Sequence, residues 1–340
     1  MSDRKRVVVL MGGDSGERAV SMDSGRAVAQ AIDGTRFDVT CVAWNGALPS
    51  QGNRGERLGE LPLLHVGSSQ LLDTLMKLQP DVTFIALHGG SGENGNLQAM
   101  LEKVGLRYTG SGPVASALGM DKVASKQLFE RLGLVTPRWL GLPKTDLDEL
   151  GPQRLREAVV RELGLPVIVK PVAAGSTLGV TIIREAEAME AAVTTALEFD
   201  TRVLIEELIV GVELTAGVMT RGDQVEVLPL IEIVPKSAAG FYDYDAKYTP
   251  GHSDHVIPPR LNEATQQRVR EVAAAACCAL GCRGVARADF MVSGEGAPYL
   301  LEVNTVPGMT ATSLVPDAAR AAGIDFSALV HRIIADALSE

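Results

Sequence analysis

The run RVVVLMGG, residues 6 to 13, constrains the fold more than any other stretch. Five apolar residues follow one another with no polar alternate, so a strand built from them cannot leave one face in water. Such a strand belongs inside a parallel sheet with cover on both faces, and its glycines supply the turn into a helix. That helix is expected over SMDSGRAVAQAI (21–32), capped by an aspartate or a serine. DVTFIALHGG (81–90) repeats the strand-to-glycine pattern. Residues 1–112 are therefore expected to form an open parallel-sheet, Rossmann-like α/β domain with its ligand edge at the carboxyl ends of the strands. Glu17, Ser21, His88 and Glu93 gather at that edge. A dehydrogenase is excluded, because no Gly-x-Gly-x-x-Gly follows the first strand.

From GMDKVASKQLFERLG (119–133), read as a helix, the texture changes. Longer strands joined by glycine turns follow: LPVIVKP, LGVTII, RVLIEELI, VELTAGVM and QVEVLPLIEIV. A long alanine-rich helix (263–281), the strands GVARADFMV and APYLLEVN, and a helix FSALVHRIIADAL close the chain. This reads as an α+β body, divided into a central lobe (113–206) and a C-terminal lobe (207–340).

The net charge of −10 over 340 residues argues against nucleic acid or an anionic membrane as partner. Any phosphate must then be held by local lysines and arginines. No apolar run is long enough to span a bilayer, and the start, with its short apolar run, fails as a signal peptide, so a cytoplasmic protein is expected. Cys41, Cys277, Cys278 and Cys282 form no C-x-x-C and are expected as buried free thiols.

Four stretches carry chemistry. In LLEVN (300–304), Glu302 and Asn304 are two apart and share one face of a strand. ARADF puts Arg287 and Asp289 on one face of the neighbouring strand candidate. If the two strands pair, three oxygen ligands meet an arginine, a set suited to Mg²⁺ and a phosphate. Lys170 ends a strand before a small-residue loop with Gly175, Ser176, Thr177 and Gly179, a cradle an anion can approach, or equally a hairpin with an exposed lysine. VLIEELIVGVE brings Glu206, Glu207 and Glu213 to where adenine and ribose could be read, or leaves them as solvated edge glutamates. GFYDYDAKYTPG (240–251) holds three of the five tyrosines between glycines and reads as a lid over 236–251, or as a surface loop.

Taken in order, GGDSGERAVSMDSG, ALHGGSGENGNLQ, YTGSG, MDKVASK, VIVKP, FYDYDAKY, GVARADF, LLEVNTVPGMT and SLVP resemble the D-alanine–D-alanine ligase family of the ATP-grasp superfamily over nearly the whole chain. The resemblance implies that the body is a two-lobed ATP-grasp unit. It implies ATP-dependent joining of two D-alanines through a D-alanyl phosphate, for peptidoglycan precursors, in a homodimer. By the same resemblance Lys122, Lys170, Glu206, Glu207, Leu208 and Glu213 surround ATP, and Lys247 reaches its phosphates from the lid. Asp289, Glu302 and Asn304 would hold two Mg²⁺ ions, or Mn²⁺ in their place. Glu17 would bind the ammonium of the first D-alanine, with His88 close by. Arg287 and the backbone N–H of Gly308 would stabilise the oxyanion, and Ser313 with Leu314 would receive the second carboxylate. Glu17, Ser176 and Tyr248 would form one hydrogen-bonded set, and Tyr244, Lys247 and Tyr248 together favour the dipeptide-forming type over a D-lactate or D-serine relative.

Three departures from the family pattern stand out. Asn94 replaces the usual Asp after His-Gly-x-x-Gly-Glu, Ala173 and Ala174 replace charged or bulkier residues, and Leu208 stands where some members carry Trp. None removes a metal ligand or a phosphate lysine. A non-catalytic nucleotide sensor would not need Arg287, Asp289, Glu302 and Asn304 together.

Overall fold

A computed structural model describes residues 4–45, 57–236, 251–310 and 312–339. The first sheet contains β1 (Lys5–Gly12), β2 (Phe37–Trp44), β3 (Arg57–Leu58), β4 (Leu61–Val66) and β5 (Val82–Ile85), in the order β3-β4-β2-β1-β5. All neighbours are parallel except β3 against β4. The unbroken apolar run of β1 does what its composition requires. Val7, Val9 and Met11 enter one core, and Val8 and Leu10 enter another on the opposite face.

The second sheet is antiparallel, β6 (Trp139–Pro143), β9 (Arg202–Glu207), β7 (Val167–Pro171) and β8 (Thr181–Ile183) in that spatial order. It has a core of its own with the helices Lys144–Glu162 and Met189–Leu197. The third sheet is also antiparallel, running β13 (Ser253–Val256), β12 (Ile231–Pro235), β10 (Gly211–Arg221), β14 (Gly284–Ser293) and β15 (Pro298–Asn304), with β11 (Gln224–Val227) on the free end of β10. The body after residue 112 is thus α+β, not a second parallel unit.

Packing ties these sheets unevenly. The helices Leu314–Ala321 and Phe326–Ser339 put Leu314, Val315, Leu329, Val330 and Ile333 into the core that holds Val7, Val9 and Met11. The first and third sheets are therefore joined by one apolar core, while the second sheet stands on its own. A cleft is left between the second sheet and the rest.

Local details differ from the expectations in instructive ways. The first helix starts at Arg18, before the expected 21, with Glu17 at its N-cap and no side-chain cap, because the Glu17 carboxylate is used elsewhere. The helix expected over 119–133 is two, Pro113–Met120 and Lys122–Arg131, broken where Asp121 leaves helical geometry and accepts the Ala124 N–H at 2.9 Å. QVEVLPLIEIV is two strands separated at 228–230, β11 and β12. Cys278 is exposed, unlike the other three cysteines, since it lies on the outer side of Glu263–Leu280. Among the described residues no helix is long and apolar enough to cross a membrane.

Gly25 lies where the first helix crosses β1, and a Cβ there would come within 2.4 Å of Met11 Cβ. Gly25→Ala is expected to cost about 1–3 kcal/mol from overpacking, read as a lower denaturation midpoint. Gly34→Ala, whose Cβ would meet nothing within 4 Å, is expected to stay within about 0.5 kcal/mol of the parent.

Candidate active site

β14 and β15 supply the centre of the site. In their register Arg287 stands opposite Asn304 and Asp289 opposite Glu302, then the pairing slips so that Phe290 faces Leu300. Leu301 is the extra residue of this bulge. Without it, alternation from Tyr299 and Leu301 would turn Glu302 into the core; with it, Glu302 and Asn304 join Arg287 and Asp289 on the open face. The Arg287 guanidinium grips Asp289 with two N–H donors, at 2.9 and 2.7 Å, and the Thr215 hydroxyl donates to the same carboxylate at 2.6 Å. Asn304 Oδ1 accepts the Val306 N–H at 2.8 Å, which orients the amide.

The second sheet and the helix Lys122–Arg131 bring the cations. Lys170 ends β7 and meets Glu206 Oε2 from β9, and Lys126 meets the other oxygen. Burial pushes the Glu206 carboxyl up, but Lys170 and Lys126 outweigh it and hold it below its ordinary value. Lys122 donates to the Ala174 carbonyl at 2.8 Å and pairs with Glu302 at 3.2 Å, tying the loop after β7 to the β15 carboxylate. In that loop Ser176 and Thr177 take φ of 51° and 62°, left-handed values that side chains rarely adopt.

The loop closes on the first domain. The Ser176 hydroxyl donates to Glu17 Oε1, and Cβ atoms at Gly175 and Gly89 would stand 2.5 and 2.6 Å from Glu17 Oε2. Only glycine lets both loops approach that carboxylate. His88, at the end of the β5 segment, bonds Ser24 Oγ at 2.8 Å through Nε2 and the Val306 carbonyl at 3.0 Å through Nδ1, so Nδ1 carries the proton. Ser24 also accepts the Met309 N–H at 3.2 Å. His88 thus binds the first sheet's edge to the segment after β15.

Two cavities open along this junction. One, about 650 Å³, is polar and is lined by Glu17, His88, Glu93, Gly308, Ser313 and Leu314 among others. The second, about 970 Å³, lies between the second and third sheets, with Lys122, Lys170, Leu208, Glu213 and Asp289 on its walls. Gly175, Ser176, Arg287, Glu302 and Leu314 line both, so the cavities meet at the arginine and the carboxylate. Of these two, Asn304 lines the polar one.

Glu206 and Glu207 do not line either cavity. Glu206 is buried behind Lys170, and Glu207 accepts the Arg138 N–H and Nε at 2.9 and 2.7 Å. Tyr244, Lys247 and Tyr248, with residues 237–250 of the expected lid, lie outside the described residues. The apolar walls of the larger cavity, Ile168, Val180, Ile182, Met291 and Leu301, escaped the sequence reading, since apolar residues in strands signal core first. Lys126 stands in the MDKVASK motif, but no sequence signal assigned it a role. Among the described residues no three His, Cys, Asp or Glu side chains group as metal ligands. Asp289, Glu302 and Asn304 offer two carboxylates and an amide, an all-oxygen set that fits a hard cation sharing its ligands with phosphate.

Two family models cover most of the chain, the D-ala D-ala ligase N-terminus over residues 6–111 and the D-ala D-ala ligase C-terminus over 128–335. A D-alanine–D-alanine ligase of Moorella thermoacetica is 44% identical over 97% of this chain and 98% of its own. The crystal structure of a D-alanine–D-alanine ligase from Bacillus anthracis complexed with ATP is similar at a TM-score of 0.78 and 31% identity, covering 98% of each chain. The VanG D-Ala:D-Ser ligase from Enterococcus faecalis is similar at a TM-score of 0.80 and 28% identity, covering 98% of this chain and 100% of its own.

Glu93 gives the polar cavity a pH signature. Burial raises its carboxyl above the ordinary 4.5; His88, with Nδ1 3.8 Å away, opposes this and the Glu17 charge adds to it. Between 4.5 and the raised value the folded state holds a proton that the unfolded chain has released, so stability falls as pH rises through that window, by up to about 1.4 kcal/mol per pH unit. Below the window both states are protonated and this contribution is constant. Denaturant unfolding from pH 4.5 upward should show Glu93→Gln losing this decline. Parallel profiles for parent and variant would contradict it.

Proposed function

The chain belongs to the D-alanine–D-alanine ligase family, and we propose that it joins two D-alanine molecules to D-alanyl-D-alanine with cleavage of ATP to ADP and phosphate. The observation that carries this reading is the meeting of the two cavities at Arg287 and Glu302. A nucleotide in the apolar slot would present its terminal phosphate, past Lys122 and Lys170, to a carboxylate held in the polar cavity. An acyl transfer run through phosphorylation needs that adjacency, and supplies its rate through positioning and charge.

The family resemblance assigns the roles, and the chemistry of the residues suits them. Glu17 holds the ammonium of the first D-alanine, with His88 fixing the wall beside it. One carboxylate oxygen of that D-alanine attacks the γ-phosphorus and ADP leaves, giving D-alanyl phosphate. Ser313 and Leu314, at the start of a helix, hold the carboxylate of the second D-alanine. Its neutral amine attacks the acyl carbon, and the developing oxyanion is met by Arg287 and the Gly308 N–H. The attacking nitrogen sheds one proton, and collapse expels phosphate with the transferred oxygen, which can carry that proton away. Lys122 and Lys170 steady the phosphates, Leu208 packs the adenine, Glu213 binds the ribose, and Glu206 and Glu207 back this wall. By the family resemblance alone, Lys247 would reach the phosphates, Tyr244 and Tyr248 would cover the acceptor, and Tyr248 would join the Glu17–Ser176 set.

Asp289, Glu302 and Asn304 would hold two Mg²⁺ ions, or Mn²⁺. Bound there, they would neutralise charge on the phosphates. We read the three sheets as the cores of units spanning 1–112, 113–206 and 207–340, and the protein as a cytoplasmic homodimer that supplies peptidoglycan precursors.

Glu302→Gln is expected to keep its fold and to lose D-alanine-dependent phosphate release by roughly 100-fold or more, measured against the parent at equal Mg²⁺. Full activity in that variant would remove Glu302 from the site. With equal D-alanine, D-serine and D-lactate offered near neutral pH, product analysis should find mainly D-alanyl-D-alanine. A preponderance of D-alanyl-D-serine or of the ester would move the chain to the other branch of its family.

A further inference from the structure

Lys126 has no part in the roles above, yet among the described residues it is one of the largest side chains removed completely from solvent, beside Phe129 and Phe290. Its ammonium meets Glu206 Oε1 and donates to the Thr136 hydroxyl. The other Glu206 oxygen is met by Lys170, whose side chain is 11% exposed and reaches the wall of the larger cavity. A line of charge therefore runs inward from that cavity: ammonium, carboxylate, ammonium. Neutrality would need only Lys170 and Glu206. Burying a third ionic group costs desolvation that a simple pair avoids, so the arrangement calls for a reason.

The reason lies in what Lys170 would do without it. A buried carboxylate with a single cation in reach would hold that cation as a neutral pair and leave little charge for an anion arriving in the cavity. With Lys126 behind Glu206, the cluster carries one net positive charge, and Lys170 is where that charge comes to the surface. Burial draws the Lys126 ammonium below its ordinary value, and Glu206 opposes this most strongly, ahead of the repulsion from Lys170.

We infer that Lys126 is a positioning residue which neutralises Glu206 from the inside, so that Lys170 keeps its charge for the phosphates of the bound nucleotide. This rests on the nucleotide reading of the larger cavity.

The test compares ligands with and without phosphate. ADP and adenosine are titrated into the parent, Lys126→Met and the double variant Lys126→Met with Glu206→Gln, each checked for folding by circular dichroism. In Lys126→Met the ratio of ADP to adenosine affinity should fall by at least about tenfold. In the double variant, where Lys170 has no carboxylate to satisfy, the ratio should return to within about threefold of the parent. In turnover, the KM for ATP should rise by a larger factor than kcat falls. A merely structural lysine would weaken both ligands alike, leaving the ratio unchanged, and that result would overturn the inference. Should Lys126→Met not fold, Glu206→Gln alone must keep or raise the ratio, and a fall would be equally damaging. A parent that binds neither ligand would overturn the nucleotide reading itself, a failure distinct from an unchanged ratio in a protein that binds both.

Discussion

The antiparallel pairing of β14 with β15, and the one-residue slip within it, is the constraint on which the site depends. Two strands with regular alternation would share one polar face only if their registers agreed, and here they do so because Leu301 is left over. The slip turns Glu302 and Asn304 out beside Arg287 and Asp289, next to Leu301, which already lines the wall of the larger cavity. One irregularity thus sets the carboxylate at the junction, next to the apolar slot. The rest of the structure holds this face in position. β10 carries Thr215 against Asp289, and the core around Phe290, Val292 and Leu300 fixes the strands from behind.

Around that face the molecule is firm on one side and less tied on the other. The first and third sheets share an apolar core, so Glu17, His88, Arg287 and Gly308 are presented by one packed body. The second sheet, with Lys170 and the Ser176 loop, has a separate core and reaches the site through polar contacts: Ser176 to Glu17, and Lys122 between Ala174 and Glu302. Contacts of that kind exchange readily with water, whereas a shared core does not. On the proposed function, the division suits a cleft that admits a nucleotide and closes on it.

Much of this was legible in the sequence, and the limits of legibility have physical causes. The five apolar residues of β1 dictated a doubly covered parallel strand, and the spacing of Glu302 and Asn304 dictated a shared face, because a period of two admits no other outcome. The slip at Leu301 was not legible, since a bulge is set by tertiary fit and LLEVN looks the same with or without one. Ile168, Ile182 and Met291 read as core because a slot for a flat apolar ring is built from the same residues as a core. Lys126 read as one more helix lysine, its burial being decided by Glu206, eighty residues away. Glu17 began the helix without a side-chain cap because its carboxylate serves the loop instead. The tyrosines and the lysine of residues 240–251 remain known from their sequence alone.

The central claim is that the joined cavities pass a phosphoryl group to a carboxylate, and the fate of the carboxylate oxygens tests it most directly. D-alanine labelled with ¹⁸O at both carboxyl oxygens is incubated with the protein, ATP and Mg²⁺, and the products are analysed by mass spectrometry. If D-alanyl phosphate forms and is captured by the second amine, each released phosphate carries one ¹⁸O, the amide retains the other, and ADP carries none. Unlabelled phosphate released in step with dipeptide would contradict the account, because the oxygen linking carboxylate to phosphorus would never have existed.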